Sequence, residues 1–270
     1  MKKVASRAYV WLIYLFLYLP ILVLIVFSFN DSKSTAKFTG FTLHWYTDLF
    51  RDRDLLMAML HTLEIALLAS IIATVLGTAA AIGIRSMGKA GRSVMMNLTY
   101  LPVVNPEIVT GVSLMLLFVF LGGLLGFQQG FGTVLIAHVT FCTPYVILNV
   151  LPKLRQMDIS QYEAAQDLGC SPGKAFFKAV IPQILPGITS GALMAFTFSL
   201  DDFMITYFTN GAGFETLPTM IFSMVRRRVS PKINALSTLI FVIVLLMLIL
   251  INIKDIRREK RERKQEKRAV

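Results

Sequence analysis

Six stretches of this chain are too apolar to be left in water, and nothing else constrains its fold as strongly. They run over roughly 9–29, 60–84, 102–124, 131–152, 184–208 and 234–253. As helices rising about 1.5 Å per residue, stretches of this length cross a hydrocarbon layer of about 30 Å. Only helices and closed barrels satisfy every backbone N–H and C=O inside a bilayer, and long continuous apolar runs are helical. The expectation is an all-α membrane protein with six transmembrane helices. Composition agrees: 55% of the residues are apolar and 16% are charged, against about 45–50% and about 25% in soluble domains.

The first run follows Lys2, Lys3 and Arg7. It is longer than the apolar core of a secretory signal and no A-x-A-like site closes it, so it reads as a retained span. Asn105-Pro106 interrupts the third run. Asn at an N-cap with Pro at the first helical position starts a helix, which predicts that the membrane helix begins near Pro106. An even number of spans puts both termini on one side. With both in the cytoplasm, nineteen Lys and Arg face inward and eight outward, as the positive-inside bias requires. Arg226, Arg227, Arg228 and Lys232 are the outward exception. The expected division is a first helix with its external loop (1–56), a transmembrane core (57–255) and a basic cytoplasmic tail (256–270).

The net charge of +11 does not point to nucleic acid, because nine of the 27 basic residues lie in the last 17 positions. A basic tail behind a span faces anionic lipid. Cys142 and Cys170 fall in an apolar run and a polar segment, with no metal-ligand spacing around either, and His44, His61 and His138 are scattered. Packing is the expected role of all three histidines, and no metal site is expected. No catalytic constellation is evident. Gly169 to Lys174 has three residues between its glycines, where a phosphate-binding loop needs four, and no Ser or Thr follows the lysine. Energy for any transport must then come from a partner or from an ion gradient. Small residues recur every fourth position at Gly187, Gly191, Ala195 and Ser199, and at Ala73, Gly77 and Ala81. Such stripes let helices approach closely in lipid.

The segment 153–183 should be a plain connection between the fourth and fifth spans, yet it encodes two short helices. Ser160-x-x-Glu163 fits a capping box. Gly169 supplies a left-handed stop, Ser171-Pro172 starts a second helix, and Pro182 is expected to limit it. The segment can serve as an amphipathic connector at the membrane surface or as a helix for a groove on a soluble partner. Glu163-Ala164-Ala165, then Gly169, then Ile181-Pro182 resemble the EAA loop of ABC importer permeases. Ala179 stands where that family often has Ile. Ser199-Leu200-Asp201-Asp202-Phe203, Phe214-Glu215-Thr216-Leu217-Pro218 and Ser230 to Ala235 resemble, more narrowly, the permeases of spermidine/putrescine importers.

The resemblance implies a type I importer permease fold and a coupling role for Glu163, Ala164, Ala165, Asp167, Leu168 and Gly169. It also implies a second homologous permease, a dimer of ATP-binding subunits that holds the ATP and magnesium, and an extracytoplasmic substrate-binding protein. This chain would then hold no cofactor and catalyse no hydrolysis. An ion-driven secondary transporter is the rival reading; it would show repeats and broken paired helices.

Asp201 and Asp202 lie within the fifth run. A carboxylate inside a span costs at least about 2.5 kcal/mol on insertion scales and normally faces a pathway or a partner charge. A protonated polyamine supplies such a charge, and Phe203, Tyr207 and Phe208 offer cation–π faces. Bonding of the pair to neighbouring helices is the alternative. Glu107, just after Pro106, suits either a helix N-terminus or the cargo. Arg226, Arg227 and Arg228 are candidates for docking the binding protein. Trp45, beside Tyr46, is an interfacial anchor or a contact for cargo or binding protein.

Overall fold

The structure, a computed structural model, describes residues 2–32, 37–227, 231–242 and 245–246. Among them the chain is helical, apart from one antiparallel bridge between Asn30 and Phe41. The helices are α1 Lys2–Ser28, α2 His44–Arg51, α3 Arg53–Ser86, α4 Lys89–Val104, α5 Glu107–Leu125, α6 Phe131–Gln156, α7 Ser160–Asp167, α8 Pro172–Ala175, α9 Ile181–Asp201, α10 Met204–Thr209 and α11 Leu217–Arg227. A twelfth, α12, covers Pro231–Val242. Five helical stretches are long and apolar enough to cross a membrane: Tyr9–Ser28, α3, α5, α6 and Pro172–Asp201. The expected sixth span begins within α12, and most of it lies outside the described residues, as does the basic tail.

The chain divides into two compact units, Met1–Leu55 with Ile221–Val270, and Leu56–Met220. In the first unit, α1 is apolar around its whole circumference and buries almost none of it within the chain. A helix of that kind needs lipid or another subunit around it. The turn after α1 is ordered by Asn30, whose side chain accepts from the Thr39 N–H at 2.9 Å and donates to the Lys37 carbonyl at 2.8 Å. Trp45 donates its indole N–H to the Asn30 carbonyl at 2.7 Å, and the Tyr46 and Ser28 hydroxyls meet at 2.7 Å. Lys232, at the start of α12, pairs with Asp52. That ammonium holds the Asp52 carboxyl below its usual range, against a smaller opposing effect of burial.

The second unit is built around α6. Its core holds Phe141, Cys142, Val146, Val150 and Leu154 of α6 with Ala73 and Ala81 of α3 and Ile184 and Ala195 of α9. Both small-residue stripes face this helix. Gly187, Gly191, Ala195 and Ser199 are the buried side of α9, together with Ile184. A Cβ on Gly77 would stand 2.6 Å from Val146 Cβ, and one on Gly191 would stand 3.1 Å from Val146 Cα. Val146 is thus gripped by a glycine from each neighbour.

Three local expectations need correction. The fifth span does not run unbroken over 184–208: α9 ends at Asp201, Asp202 is extended (φ −64°, ψ 128°), and α10 starts at Met204. Pro182 does not end a helix. A turn with i→i+5 bonding, Phe176–Val180, precedes it, and Ile181 N–H reaches back to the Phe176 carbonyl. Proline has no N–H and crowds the carbonyl four residues earlier, and the wider turn accommodates both effects. Ahead of the Asn105-Pro106 break stands a full helix, α4, where a polar cytoplasmic segment was expected. Its Arg92 closes the end of α3 by donating to the Arg85 carbonyl at 2.5 Å and the Ile84 carbonyl at 3.3 Å. A cation there also complements the helix dipole.

Candidate functional site: a cytoplasmic loop helix and a broken membrane helix

The two candidate regions sit at opposite ends of α9. At its start, α7 is anchored by one face and open on the other. Tyr162 packs against the core and receives a hydrogen bond from Gln166 at 3.2 Å, while Ala165 is half-buried. Glu163, Ala164, Asp167 and Leu168, at i, i+1, i+4 and i+5, form the exposed face. Leu168 is 87% exposed. Gly169 follows at φ +84°, a conformation that costs a side chain little only at glycine, so the helix stops there and Leu168 projects.

The expected capping box does not form. Asp158 caps instead, accepting from the Ser160 N–H at 3.0 Å. Hydrogen bonds from the Ser160 hydroxyl and amide hold the Asp158 carboxyl below its usual range. The same residue is tied to α9: its N–H donates to Gln183 Oε1 at 3.1 Å.

At the far end of α9, Asp201 is exposed and Asp202 is 7% exposed. The Asp202 carboxylate accepts from the N–H groups of Ile205 and Thr206 at 3.2 and 2.8 Å and from the Thr206 hydroxyl at 2.9 Å. It therefore caps α10 and replaces the partners that the break removes. Glu107, exposed in the first turn of α5, lies within electrostatic range of both aspartates. Close packing brings it there. Gly111, one turn on, lets the Met204 carbonyl and Phe208 approach to 3.2 and 3.1 Å of where a Cβ would be. Phe203 and Tyr207 stand with ring centroids 5.4 Å apart, and Tyr207 is 43% exposed. Glu107, Asp201, Asp202, Phe203 and Tyr207 are thus brought together where two membrane helices, α4–α5 and α9–α10, are both interrupted.

Sequence reasoning did not find His138. Its ring is 1% exposed and bonds Ser199 Oγ through Nδ1 at 2.7 Å and Thr206 Oγ1 through Nε2 at 2.8 Å. Nε2 also lies 3.3 Å from Asp202 Oδ2. The available signal was a lone histidine inside one apolar run and an aspartate inside another. His61, weighed as a partner for Glu64, turns instead to the Glu215 carbonyl at 3.1 Å and stacks on Phe214. Trp45 is only 9% exposed, so its indole belongs to the interior of its unit. Arg226 is exposed. Arg228 lies outside the described residues. No group of three or more metal-ligating side chains occurs among the described residues.

A membrane domain with an outward-facing loop helix and acids at a helix break defines a multi-pass permease, and solved structures share its architecture. A bacterial ABC transporter that imports the acidic polysaccharide alginate superposes with a TM-score of 0.70 at 12% identity, over 94% of this chain and 95% of that one. An amino acid ABC transporter matches with a TM-score of 0.52 at 22% identity, over 78% of this chain and 95% of that one. These likenesses establish the type I importer permease fold.

Residues 73–256 match the binding-protein-dependent transport system inner membrane component family, and the chain belongs to it. The putrescine transport system permease protein PotI of Escherichia coli K12 is 45% identical over 228 residues, 83% of this chain and 81% of that protein. The spermidine/putrescine transport system permease protein PotC of Haemophilus influenzae is 37% identical over 237 residues, 88% and 91% of the two chains. The protein is therefore a multi-pass permease subunit of the cell membrane, and the ion-driven rival reading falls away.

Proposed function

We propose that this chain forms half of the translocation pathway of an ATP-driven importer for polyamines such as putrescine and spermidine. The observation that carries the reading is the meeting of Glu107 and Asp201 with Asp202, Phe203 and Tyr207 at paired interruptions in membrane helices. Carboxylates in a span stabilise a cation and repel an anion, and aromatic faces add cation–π attraction for ammonium groups spaced along an alkyl chain. The kinship with PotI and PotC supports the same cargo class.

In this reading both termini are cytoplasmic. A second permease completes the pathway, and a binding protein delivers cargo from outside, with exposed Arg226 and its neighbours Arg227 and Arg228 as a docking patch. ATP and magnesium belong to a partner ATPase dimer, in whose cleft the Glu163–Gly169 face sits. Closure of that dimer moves α7. Asp158 and Gln183 pass the motion to α9, and the two permeases rock between inward- and outward-open states.

The test is uptake of labelled putrescine by the full complex in proteoliposomes loaded with ATP. Glu163→Arg and Gly169→Asp are expected to abolish uptake while membrane insertion stays normal. Asp201→Asn and Glu107→Gln are expected to raise KM by about tenfold, the scale of one charge-assisted hydrogen bond. Unchanged uptake in both loop variants at normal expression would sink the coupling assignment. Unchanged KM in both acid variants would sink the cargo site.

A further inference from the structure

The three acids at the break are not equivalent. Both oxygens of Asp202 are occupied from inside the unit, Oδ1 by the Ile205 N–H and Oδ2 by the Thr206 N–H and hydroxyl. The Thr206 hydroxyl has a single proton, and Asp202 receives it. Thr206 Oγ1 must then accept from His138 Nε2–H, which fixes the proton on that nitrogen and directs it at the Thr206–Asp202 pair. The opposite nitrogen meets Ser199, on the α9 side of the break. One imidazole from α6 therefore holds a hydroxyl on each side of the interruption. Two further bonds fix α6 to the same strand of chain: the Thr133 hydroxyl to the Thr209 carbonyl at 2.8 Å, and Cys142 Sγ to the Ala195 carbonyl at 3.4 Å. Asp201, the residue left outside this net, is the exposed one.

We propose that His138 is a positioning residue for cation recognition. Through Asp202 it clamps the break in the fifth span so that Asp201 is presented beside Glu107, and Asp202 itself makes no contact with cargo. The inference rests on the polyamine reading above, and it separates two neighbouring carboxylates that the sequence treats as a pair. A buried polar network with every member satisfied rigidifies its surroundings, and removal of one member frees the rest to rearrange.

The experiment has two arms, both on the full chain in its complex. In the first, Asp201→Cys is labelled with a cationic thiol reagent, with rates corrected for the chain that keeps Asp201. His138→Leu, which fills the space without a donor, is expected to slow labelling about fivefold or more. His138→Gln, which retains a donor, should stay within about twofold of the parent. In the second arm, His138→Leu is expected to raise the KM for putrescine about fivefold with little change in maximal rate, and to add nothing further in an Asp201→Asn background. Should His138→Leu not accumulate in the membrane, Thr206→Val removes the hydroxyl at the same junction and carries the same expectations. Unaltered labelling and KM in an inserted clamp variant would overturn the proposal. So would an Asp202→Asn effect on KM that multiplies with that of Asp201→Asn, because that result marks Asp202 as a cargo contact. A native complex that moves no polyamine would overturn the cargo reading instead, and the labelling arm would still decide the clamp.

Discussion

Asp52 and Lys232 illustrate how much one ion pair can do at a junction. The pair joins the residue before α3 to the first turn of α12, about one fifth exposed on each side, far apart in sequence and outside the membrane helices. Because the ammonium lowers the folded carboxyl's pKa below the model value of 3.8, its contribution to stability is fully present above that value. It is lost as pH falls through the lowered value, when the folded carboxylate finally takes up a proton. The difference in melting temperature between native protein and Lys232→Met, measured in detergent from pH 7 downward, is expected to be constant near neutrality and to shrink below about pH 4. A difference that grows in acid would contradict the sign of the linkage. The clamp at His138 belongs to the same scale. It was invisible in the sequence because its partners lie 61 and 68 residues away, and no local pattern encodes such a meeting.

Among the helices, the legible features were those with a period. The apolar runs announced the spans, and the four-residue spacing of small side chains announced which sides of α3 and α9 are buried. Both stripes turn out to close on one residue, Val146. Gly77→Ala is therefore expected to cost about 1–3 kcal/mol, the range for overpacking a filled core, and Val146→Ala on the same chain should recover most of it. Thermal melting of the single and double variants in detergent checks this; a double variant weaker than either single change would show that the contact is not the cause. The features that escaped were set by single competing groups. The Asp158 carboxylate reached the Ser160 amide and displaced the expected capping box. Asp202 capped α10 and made two helices of one span. The low hydropathy of Lys89–Ser93 concealed α4, whose first turns are polar.

For the molecule as a whole, the class was readable because bilayer physics leaves few options and because the loop between the fourth and fifth spans has more structure than a connection requires. The pathway was readable only as a composition, two aspartates and aromatics in an apolar run. Which carboxylate is offered and which is enclosed depended on the break, and the break depended on side chains from α5 and α6.

The i→i+5 turn at Phe176–Val180 has a consequence for timing between the two ends of the machine. It is one residue longer than an ordinary helical turn, so it sets the angular phase between the loop and everything downstream. Deleting Ala179 would let an ordinary turn form and would twist the remainder of the helix by about 100° relative to the loop. Either Gly187 and Gly191 would leave Val146, or Leu168 and Glu163 would swing to another compass bearing. The deletion should insert and fold as a helix yet transport nothing, whereas replacing Ala179 by Ile, which keeps the count, should transport normally. Phase, more than composition, is what that short stretch keeps.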